Sequence, residues 1–374
     1  MDNSTVKLET RIENRRRWMY RGILHLGLTA FLTASIAEAK PNPPQKLCVD
    51  GGNCVASQPM RLGVNVHLWG AAQDEVDKTT AAAADAGLNI LRWDVPWKAV
   101  EKAKGQLVIP ENWDYVIDKA RANGVESLLI LDYGNVLYDG GDKPTSSSGI
   151  DAFARYAETI VRHFAGRVQY YQIWNEWNGV LGNTRKGSSQ EYAALVKAVY
   201  PRIKAVDPKA IVVAGGFSSA AYDSLVDYGR ERSLETFLET DDIASFCDAI
   251  AIHPYVVYKT GEMHTFSGFV KLITAVVERI REAPGFSQKP IIITELGWST
   301  ANDSKTGVSE AAQSDLVVRA METAKKLGIS MFLLYELRDQ GLNSNETEKA
   351  FGLLRHDWSQ KEIYRELGRQ NGTP

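Results

Sequence analysis

A glutamate lies between two tryptophans and two asparagines in the segment Trp174–Asn178. The segment follows an apolar, aromatic run at 168–173, which is typical of a buried strand. Acidic side chains are rarely buried without a partner, because desolvating their charge is costly. We therefore interpret Glu176 as a proton donor in a reaction rather than as a structural residue.

A second glutamate, Glu295, directly follows another apolar run at 290–294. Two carboxyl groups held about 5–5.5 Å apart are what a retaining glycosidase needs. One protonates the leaving oxygen while the other attacks the anomeric carbon. Each also affects the other, because a like charge nearby raises one pKa and keeps that group protonated near neutral pH. The hypothesis requires a fold that brings the two residues together.

Short apolar runs alternate with helical stretches from Met60 onward. Runs of this kind are typical of strands that are buried on both faces. The predicted strands are 61–68, 88–95, 125–131, 168–174, 210–214, 249–253, 290–294 and 329–335. The predicted helices are 75–86, 113–122, 151–164, 190–205, 222–238, 270–282 and 309–327. This α/β pattern predicts a single (β/α)8 TIM barrel over residues 60–374. An open doubly wound sheet is the alternative, but no Gly-rich phosphate fingerprint follows the first strand.

The active site of such a barrel lies at the C-terminal ends of its strands. Glu176 follows the fourth strand and Glu295 the seventh, so the two side chains can meet across the barrel mouth. Asp94 lies at the end of the second strand and Asp132 follows the third, where they serve either as substrate ligands or as supporting acids. Other polar and aromatic residues at strand ends are Asn65, His67, Trp69, Arg92, Trp97, Tyr133, Asn175, Trp177, His253, Tyr255, Trp298, Tyr335 and Glu336. Their convergence predicts a pocket.

Five tryptophans lie at or near this rim. Flat aromatic faces suit sugar rings, and clustered, partly exposed tryptophans usually mark a binding surface. The alternative is that one or two of them pack under the loops. We predict a carbohydrate substrate from the set Trp69, Trp97, Trp174, Trp177 and Trp298.

The charge and the composition of the chain limit the partners and cofactors that it is expected to bind. The 374 residues carry a net charge of −3 with a pI near 6.1, which disfavours binding to nucleic acid. Position 65 is Asn, so no His-x-His pair opens the barrel, and three cysteines without clustered histidines do not form a zinc site. We expect no metal and no other cofactor.

The first forty residues differ from the rest. A basic region with Arg15–Arg17 precedes an apolar run at 22–36 and a small-x-small site that ends at Ala39. We predict a signal peptide over 1–39, a secreted or periplasmic protein, and no membrane anchor after cleavage. Residues 40–59 form an N-terminal extension, in which Cys48 and Cys54 bracket a tight loop that permits a disulfide. Cys247 is predicted to be a buried thiol.

These features together resemble clan A of the glycoside hydrolases, over about residues 60–367. The nearest likeness is to family 39, including its members from exopolysaccharide clusters, and the alternative is the cellulase-like family 5. The chain departs from many members at Trp177, where they have Pro, and at Tyr335-Glu336, where they have Trp. The motifs that carry the resemblance are Asn175-Glu176, Glu295 within Thr294–Ser299, Arg92 within Leu91–Trp97, His253-Pro254-Tyr255 and Phe351–Leu354.

The resemblance implies a role for each matching residue. Glu176 would be the general acid/base and Glu295 the nucleophile. Asn175 would bind the sugar 2-hydroxyl, while Arg92 and Tyr255 would hydrogen-bond Glu295. The predicted substrate-binding residues are therefore Asn175, Arg92, His253, Tyr255, Trp298, Trp69, Trp97, Trp177 and Tyr335.

The functional hypothesis is a secreted, retaining glycoside hydrolase that cleaves β-glycosidic bonds in an oligo- or polysaccharide by double displacement. Two alternatives use the same rim. One is a carbohydrate-binding barrel without catalysis, and the other is a transglycosylase in which a sugar hydroxyl replaces water.

Overall fold

The computed structural model describes residues 46–48, 54–56, 59–180, 185–302, 305–341 and 345–370. Two short strands, Lys46–Cys48 (β1) and Cys54–Ala56 (β2), pair antiparallel before the barrel. A second small hairpin, Glu101–Ala103 (β5) with Gln106–Leu107 (β6), lies in the loop after the second barrel strand. The barrel strands are Arg61–Asn65 (β3), Ile90–Asp94 (β4), Glu126–Leu131 (β7), Tyr170–Ile173 (β8), Ile211–Phe217 (β9), Ala249–Ile252 (β10), Ile291–Leu296 (β11) and Met331–Leu334 (β12).

These eight strands form a closed, parallel barrel in chain order, and β12 pairs with β3 to complete the ring. The predicted (β/α)8 barrel is therefore confirmed, and each predicted strand overlaps one observed strand. β8 and β11 carry the two glutamates, and three steps around the ring separate these strands.

Helices cover the outside of the barrel. Serine or threonine caps begin four of them, at Ser146, Ser188, Thr265 and Ser309, as expected for residues that satisfy free N–H groups. The main helices are Gln73–Asp85, Glu111–Ala122, Ser147–Phe164, Ser189–Val206, Phe266–Glu282, Glu310–Lys326 and Glu362–Gln370. Shorter helices are Trp97–Val100 and Ser233–Leu238, and short 3-10 turns include Ser219–Val226. No helix in the described ranges is long and apolar enough to cross a membrane.

The barrel has an inner and an outer apolar layer. Side chains on a strand alternate between faces, so residues two apart share one. The lower interior is filled by Ile90, Leu128, Ile130, Val213, Ala249, Ala251, Ile292, Met331 and Leu333. Arg92 lies two residues after Ile90 on the same face of the strand, and it lines the open pocket at the barrel mouth. Apolar packing at the bottom thus supports polar groups at the top.

The predicted signal peptide, residues 1–39, lies outside the described residues. Cys48 stands opposite Cys54 in the β1–β2 pairing, but their side chains also lie outside the described part of the chain, so the disulfide stays a prediction. Cys247 is a buried free thiol, as predicted.

Candidate active site

Glu176 lies where the backbone turns sharply away from the end of β8. Trp174 and Glu176 both have positive φ angles, 65° and 48°, which are uncommon for residues other than glycine. Flanking hydrogen bonds hold this turn, since Trp174 N donates to Leu131 O and Glu176 N donates to Gly216 O, both at 2.9 Å. The turn is therefore fixed by the strands on either side.

The carboxyl groups of Glu176 and Glu295 lie side by side. One oxygen of each is within 4.8 Å of the other. The two residues are 9% and 8% exposed, so both are largely shielded from water. The separation fits the short distance that covalent double displacement requires, since inverting enzymes place a water between carboxyls that are about 6.5–9.5 Å apart.

Glu295 is held by positive charge and hydrogen bonds. Arg92 Nη1 donates to Oε1 of Glu295 at 2.6 Å, and the hydroxyl of Tyr255 donates to Oε2 at 3.4 Å. Burial alone would raise the pKa of Glu295, but the charges of His253 and Arg92 and these two hydrogen bonds outweigh it and lower the pKa. Glu295 is therefore suited to act as an ionised nucleophile.

Arg92 is fixed in place by amide side chains. Its Nη1 also donates to Asn65 at 2.5 Å, its Nε to Gln172 at 3.0 Å and its Nη2 to Asn175 at 2.8 Å. Asn175 in turn donates from Nδ2 to the hydroxyl of Tyr133 at 3.1 Å. The guanidinium thus connects Glu295 to Asn175, the residue that the resemblance assigns to the sugar 2-hydroxyl.

His253 is fully buried between the two glutamates. Its Nδ1 lies 3.0 Å from Glu176 Oε1 and 3.8 Å from Glu295 Oε2. Its Nε2 lies 2.9 Å from the hydroxyl of Thr294. Both ring nitrogens therefore have partners, and His253 orients Glu176. With no exposed surface it cannot contact a sugar, so its predicted assignment as a substrate-binding residue was wrong.

Within the described ranges, Glu176, His253 and Glu295 are also the residues with enough clustered donor atoms to hold a metal ion. A cation there would compete with the guanidinium of Arg92, which lies against Glu295. It would also displace the bond between His253 and Glu176. The arrangement suits two reacting carboxyl groups better than a metal centre.

A pocket of about 410 Å³ opens above the pair. Arg92, Asn175, Tyr255 and Tyr335 line it, as predicted from the sequence. Its aromatic wall consists mostly of tyrosines rather than tryptophans. Three tyrosine or phenylalanine residues of this wall were not among the predicted substrate-binding residues: Tyr133, Tyr258 and Phe351. The sequence offered a reason to predict two of them, because Tyr133 follows a strand and Phe351 belongs to the motif Phe351–Leu354. Tyr258 lies on a loop outside any motif, so nothing in the sequence predicted it.

Two of the predicted sugar-binding tryptophans are fully buried. Trp97 stacks on Tyr138, with ring centroids 5.0 Å apart, and Trp177 packs against Trp174 at the same separation. Both have 0% exposure. A ring without exposed surface cannot stack on a sugar, so the expectation for Trp97 and Trp177 was wrong. Both rings pack against other aromatic side chains, which is the alternative given above for one or two of the tryptophans.

The remaining predicted tryptophans lie outside the pocket wall. Trp298 is 5% exposed and packs edge-on against Phe269, which corrects its assignment to sugar binding. Trp69 is 45% exposed at the rim. Its backbone carbonyl accepts a hydrogen bond from the indole of Trp113 at 2.8 Å. Trp69 therefore keeps a face free on the surface beside the cleft.

The sequence also matches the model of a known protein family. Residues 54–338 match the family model described as Cellulase (glycosyl hydrolase family 5). The chain matches no curated protein at a significant level.

Three solved structures illustrate the structural likeness. A family 39 glycoside hydrolase from Bacteroides cellulosilyticus has a TM-score of 0.67 and 23% identity over 84% of this chain, which spans 63% of that protein's length. A GH5_18 protein from Bifidobacterium longum has a TM-score of 0.65 and 12% identity, covering 84% and 79% of the two chains. A β-glucosidase from Exiguobacterium marinum has a TM-score of 0.62 and 13% identity, covering 83% and 97%. At these identities the likeness establishes the fold.

Proposed function

The chain belongs to the cellulase family, glycosyl hydrolase family 5, and we propose that it is a secreted, retaining glycoside hydrolase acting on β-glycosidic bonds in an oligo- or polysaccharide. The resemblance to clan A is confirmed, and the family model is that of the cellulase-like alternative. The chain is thus a glycosidase. The observation that carries the finer proposal is the carboxyl pair, with oxygens of Glu176 and Glu295 within 4.8 Å.

The first half of the reaction forms a covalent bond. The ionised carboxylate of Glu295 attacks the anomeric carbon from below the sugar ring. Glu176 gives its proton to the glycosidic oxygen, so the bond to the leaving sugar breaks and the leaving group departs as a neutral alcohol. Arg92 and Tyr255 keep Glu295 ionised and aimed, while His253 holds Glu176.

The second half releases the sugar. Glu176, now a carboxylate, removes a proton from water, and the water oxygen attacks the anomeric carbon. The bond to Glu295 breaks, and the product keeps the original anomeric configuration after two inversions. Glu176 is therefore neutral at the start of each cycle and negatively charged after the first half. The neighbouring ring of His253 is placed to stabilise the charged form by a hydrogen bond.

The proposed β-linkage is supported by the structural likeness to a protein that is itself a β-glucosidase. The tyrosine-rich wall supports a carbohydrate substrate, because aromatic faces pack against the apolar faces of sugar rings. Asn175 is held by Arg92 and Tyr133 in a position suited to a sugar hydroxyl.

A screen of β-linked polysaccharides and aryl glycosides tests the proposal, with NMR used to identify the anomer of the first product. We expect turnover with retained configuration. Glu176→Ala and Glu295→Ala should each abolish or cripple turnover while the thermal unfolding curve stays cooperative. Asp118→Asn, an exposed acid paired with Arg167, serves as the matched control and should behave like the wild type. A first product of inverted configuration, or full activity in either alanine variant, would overturn the proposal.

Export is the remaining part of the proposal. It is supported by the basic and apolar pattern of residues 15–36 and the small residues before position 40. The mature protein from the extracellular or periplasmic fraction should begin at Lys40. Retention of residues 1–39 in a cytoplasmic protein would contradict export without affecting the enzymatic proposal.

A further inference from the structure

Two aspartates lie next to each other at the barrel mouth and take no part in the double displacement. Asp94 is the last residue of β4, and Asp132 follows the end of β7. β4 and β7 are neighbours, with Asp94 opposite Ile130. Because side chains alternate along a strand, Asp132 shares the inner face with Ile130. Both carboxyl groups therefore point to the mouth of the barrel.

Asp132 is completely buried, with 0% of its surface exposed. Neither of its carboxyl oxygens receives an N–H or O–H donor from the part of the chain that the structure describes. Its hydrogen-bonding neighbour is another acid, Asp94. Two carboxyl groups can share a hydrogen bond only when one of them carries the proton.

The surroundings of Asp132 favour its protonated form over that of Asp94. Burial is the largest effect and raises its pKa well above the usual range, and the nearby charge of Asp94 raises it further. Arg92 and Lys98 offset part of this rise. Arg92, however, already donates to Glu295 and to three amide side chains around it. The surroundings therefore favour the protonated form of Asp132, which can donate to Asp94.

Asp94 differs from its partner in its exposure. It is half-buried and lines the catalytic pocket on the same side as Arg92 and Tyr133. A carboxylate offers about four acceptor positions. A single bond from Asp132 fixes its orientation and leaves the remaining positions for a ligand in the pocket.

We propose that Asp94 is a substrate-binding residue that accepts hydrogen bonds from sugar hydroxyl groups, and that the buried Asp132 beside it is the positioning residue that orients it. The inference rests on the proposed glycosidase function and adds its substrate class. Asp94 accepts hydrogen bonds and carries negative charge, so it selects a sugar with a donor group at the contacted position. A carboxylate at that position, as in a uronic acid, is repelled by Asp94 and by the nearby Glu295.

A double-mutant cycle tests the role of Asp94. The wild type and Asp94→Ala are compared on an active aryl glycoside and on its set of monodeoxy analogues. For one analogue, removing the hydroxyl should lower kcat/KM of the wild type by about 10- to 100-fold, the range expected for a hydrogen bond to a charged group. Asp94→Ala should lose little on that same analogue. If every analogue loses the same factor in both enzymes, the binding role of Asp94 is overturned.

A second comparison tests Asp132 as a positioning residue. Asp132→Asn keeps a hydrogen-bond donor and should retain kcat and KM within a few fold. Asp132→Leu removes the donor, so KM should rise and the discrimination against the critical deoxy analogue should fall. Infrared difference spectra at pH 7 give a readout independent of activity. The wild type should show the C=O band of a protonated carboxyl group that Asp132→Asn lacks, and the absence of that band would overturn the protonated state.

The outcome separates this inference from the proposed function. An enzyme that is inactive on every glycoside tested would contradict the function itself. An active, retaining enzyme whose deoxy discrimination does not depend on Asp94 would contradict only this inference. Hydrolysis of the uronic acid counterpart of the best substrate at an equal rate would contradict the substrate class.

Discussion

The guanidinium of Arg92 lies 2.6 Å from the carboxylate of Glu295, and both groups are largely buried. The same guanidinium donates to Asn65, Gln172 and Asn175. Arg92 therefore does more than balance a charge. It fixes Glu295, the proposed nucleophile, and the neighbouring amide of Asn175 in one rigid arrangement.

Arg92→Lys should show that geometry matters as well as charge. A lysine keeps the positive charge but cannot reproduce four donor directions from a planar group. We expect kcat/KM to fall by about 100-fold or more, as for the loss of a preorganised donor in an active site. Arg167→Lys, at an exposed ion pair with Asp114, is the matched control. Steady-state kinetics make the comparison, and Arg92→Lys activity within twofold of the wild type would contradict this role.

Tyr255→Phe should shift the acidic limb of the pH profile. Because the pKa of Glu295 is lowered, activity should persist below the ordinary value of 4.5 and be lost as pH falls through the folded-state pKa. The stability gained from its ionised form is fully present above 4.5 and is lost as pH falls from there through the folded-state pKa. Removing the hydroxyl of Tyr255 takes away one donor that lowers the pKa of Glu295, so that pKa rises and the limb moves to higher pH.

Profiles of kcat/KM against pH measure this shift. Tyr115→Phe, which removes a hydroxyl bonded to surface Asp77, should leave the limb where it is. A limb that moves to lower pH in Tyr255→Phe would have the wrong sign for the assignment.

Trp97→Ala should affect stability rather than sugar binding. The ring is fully buried against Tyr138, Phe153 and Tyr156. Its loss should lower the free energy of unfolding by about 3–5 kcal/mol. Chemical denaturation measures this, and KM of the folded fraction should stay within a few fold. A large rise in KM with unchanged stability would restore the sugar-binding interpretation.

Trp69→Ala should give the opposite result. This ring is 45% exposed and lies outside the wall of the catalytic pocket, so it can contact a polymer beyond the site of cleavage. We expect unfolding to change by less than about 1 kcal/mol and KM for an active polysaccharide to rise several-fold. KM for a short aryl glycoside should not change. Equal effects on both substrates would argue against a remote contact.

The barrel was predictable because its strands are short apolar runs at regular spacing, as in Ile291–Ile293. The placement of Glu176 and Glu295 followed from the strand count, since C-terminal strand ends meet at one face. The helical stretch predicted over 222–238 is divided, because Asp227 adopts a left-handed conformation at the end of Ser219–Val226. Such a turn leaves little trace in the apolar pattern.

The sequence could not separate exposed from buried tryptophans. Trp69 and Trp97 both follow strands, yet one is open to solvent and the other is packed under a loop. That difference depends on loop packing. The sequence also could not decide between the two roles considered for Asp94 and Asp132. The burial of Asp132 and the lack of donors to its carboxyl oxygens are properties of the folded barrel.

The most direct test of the central claim is to trap the covalent intermediate. A 2-deoxy-2-fluoro glycoside with a good leaving group, matched to the best substrate of the screen, slows release of the sugar after attack. Intact mass spectrometry followed by peptide mapping locates the label. The account predicts one sugar per chain, attached to Glu295, and no label in Glu295→Ala. A label on another residue, or an active enzyme that never acquires a label while its first product is inverted, would contradict it.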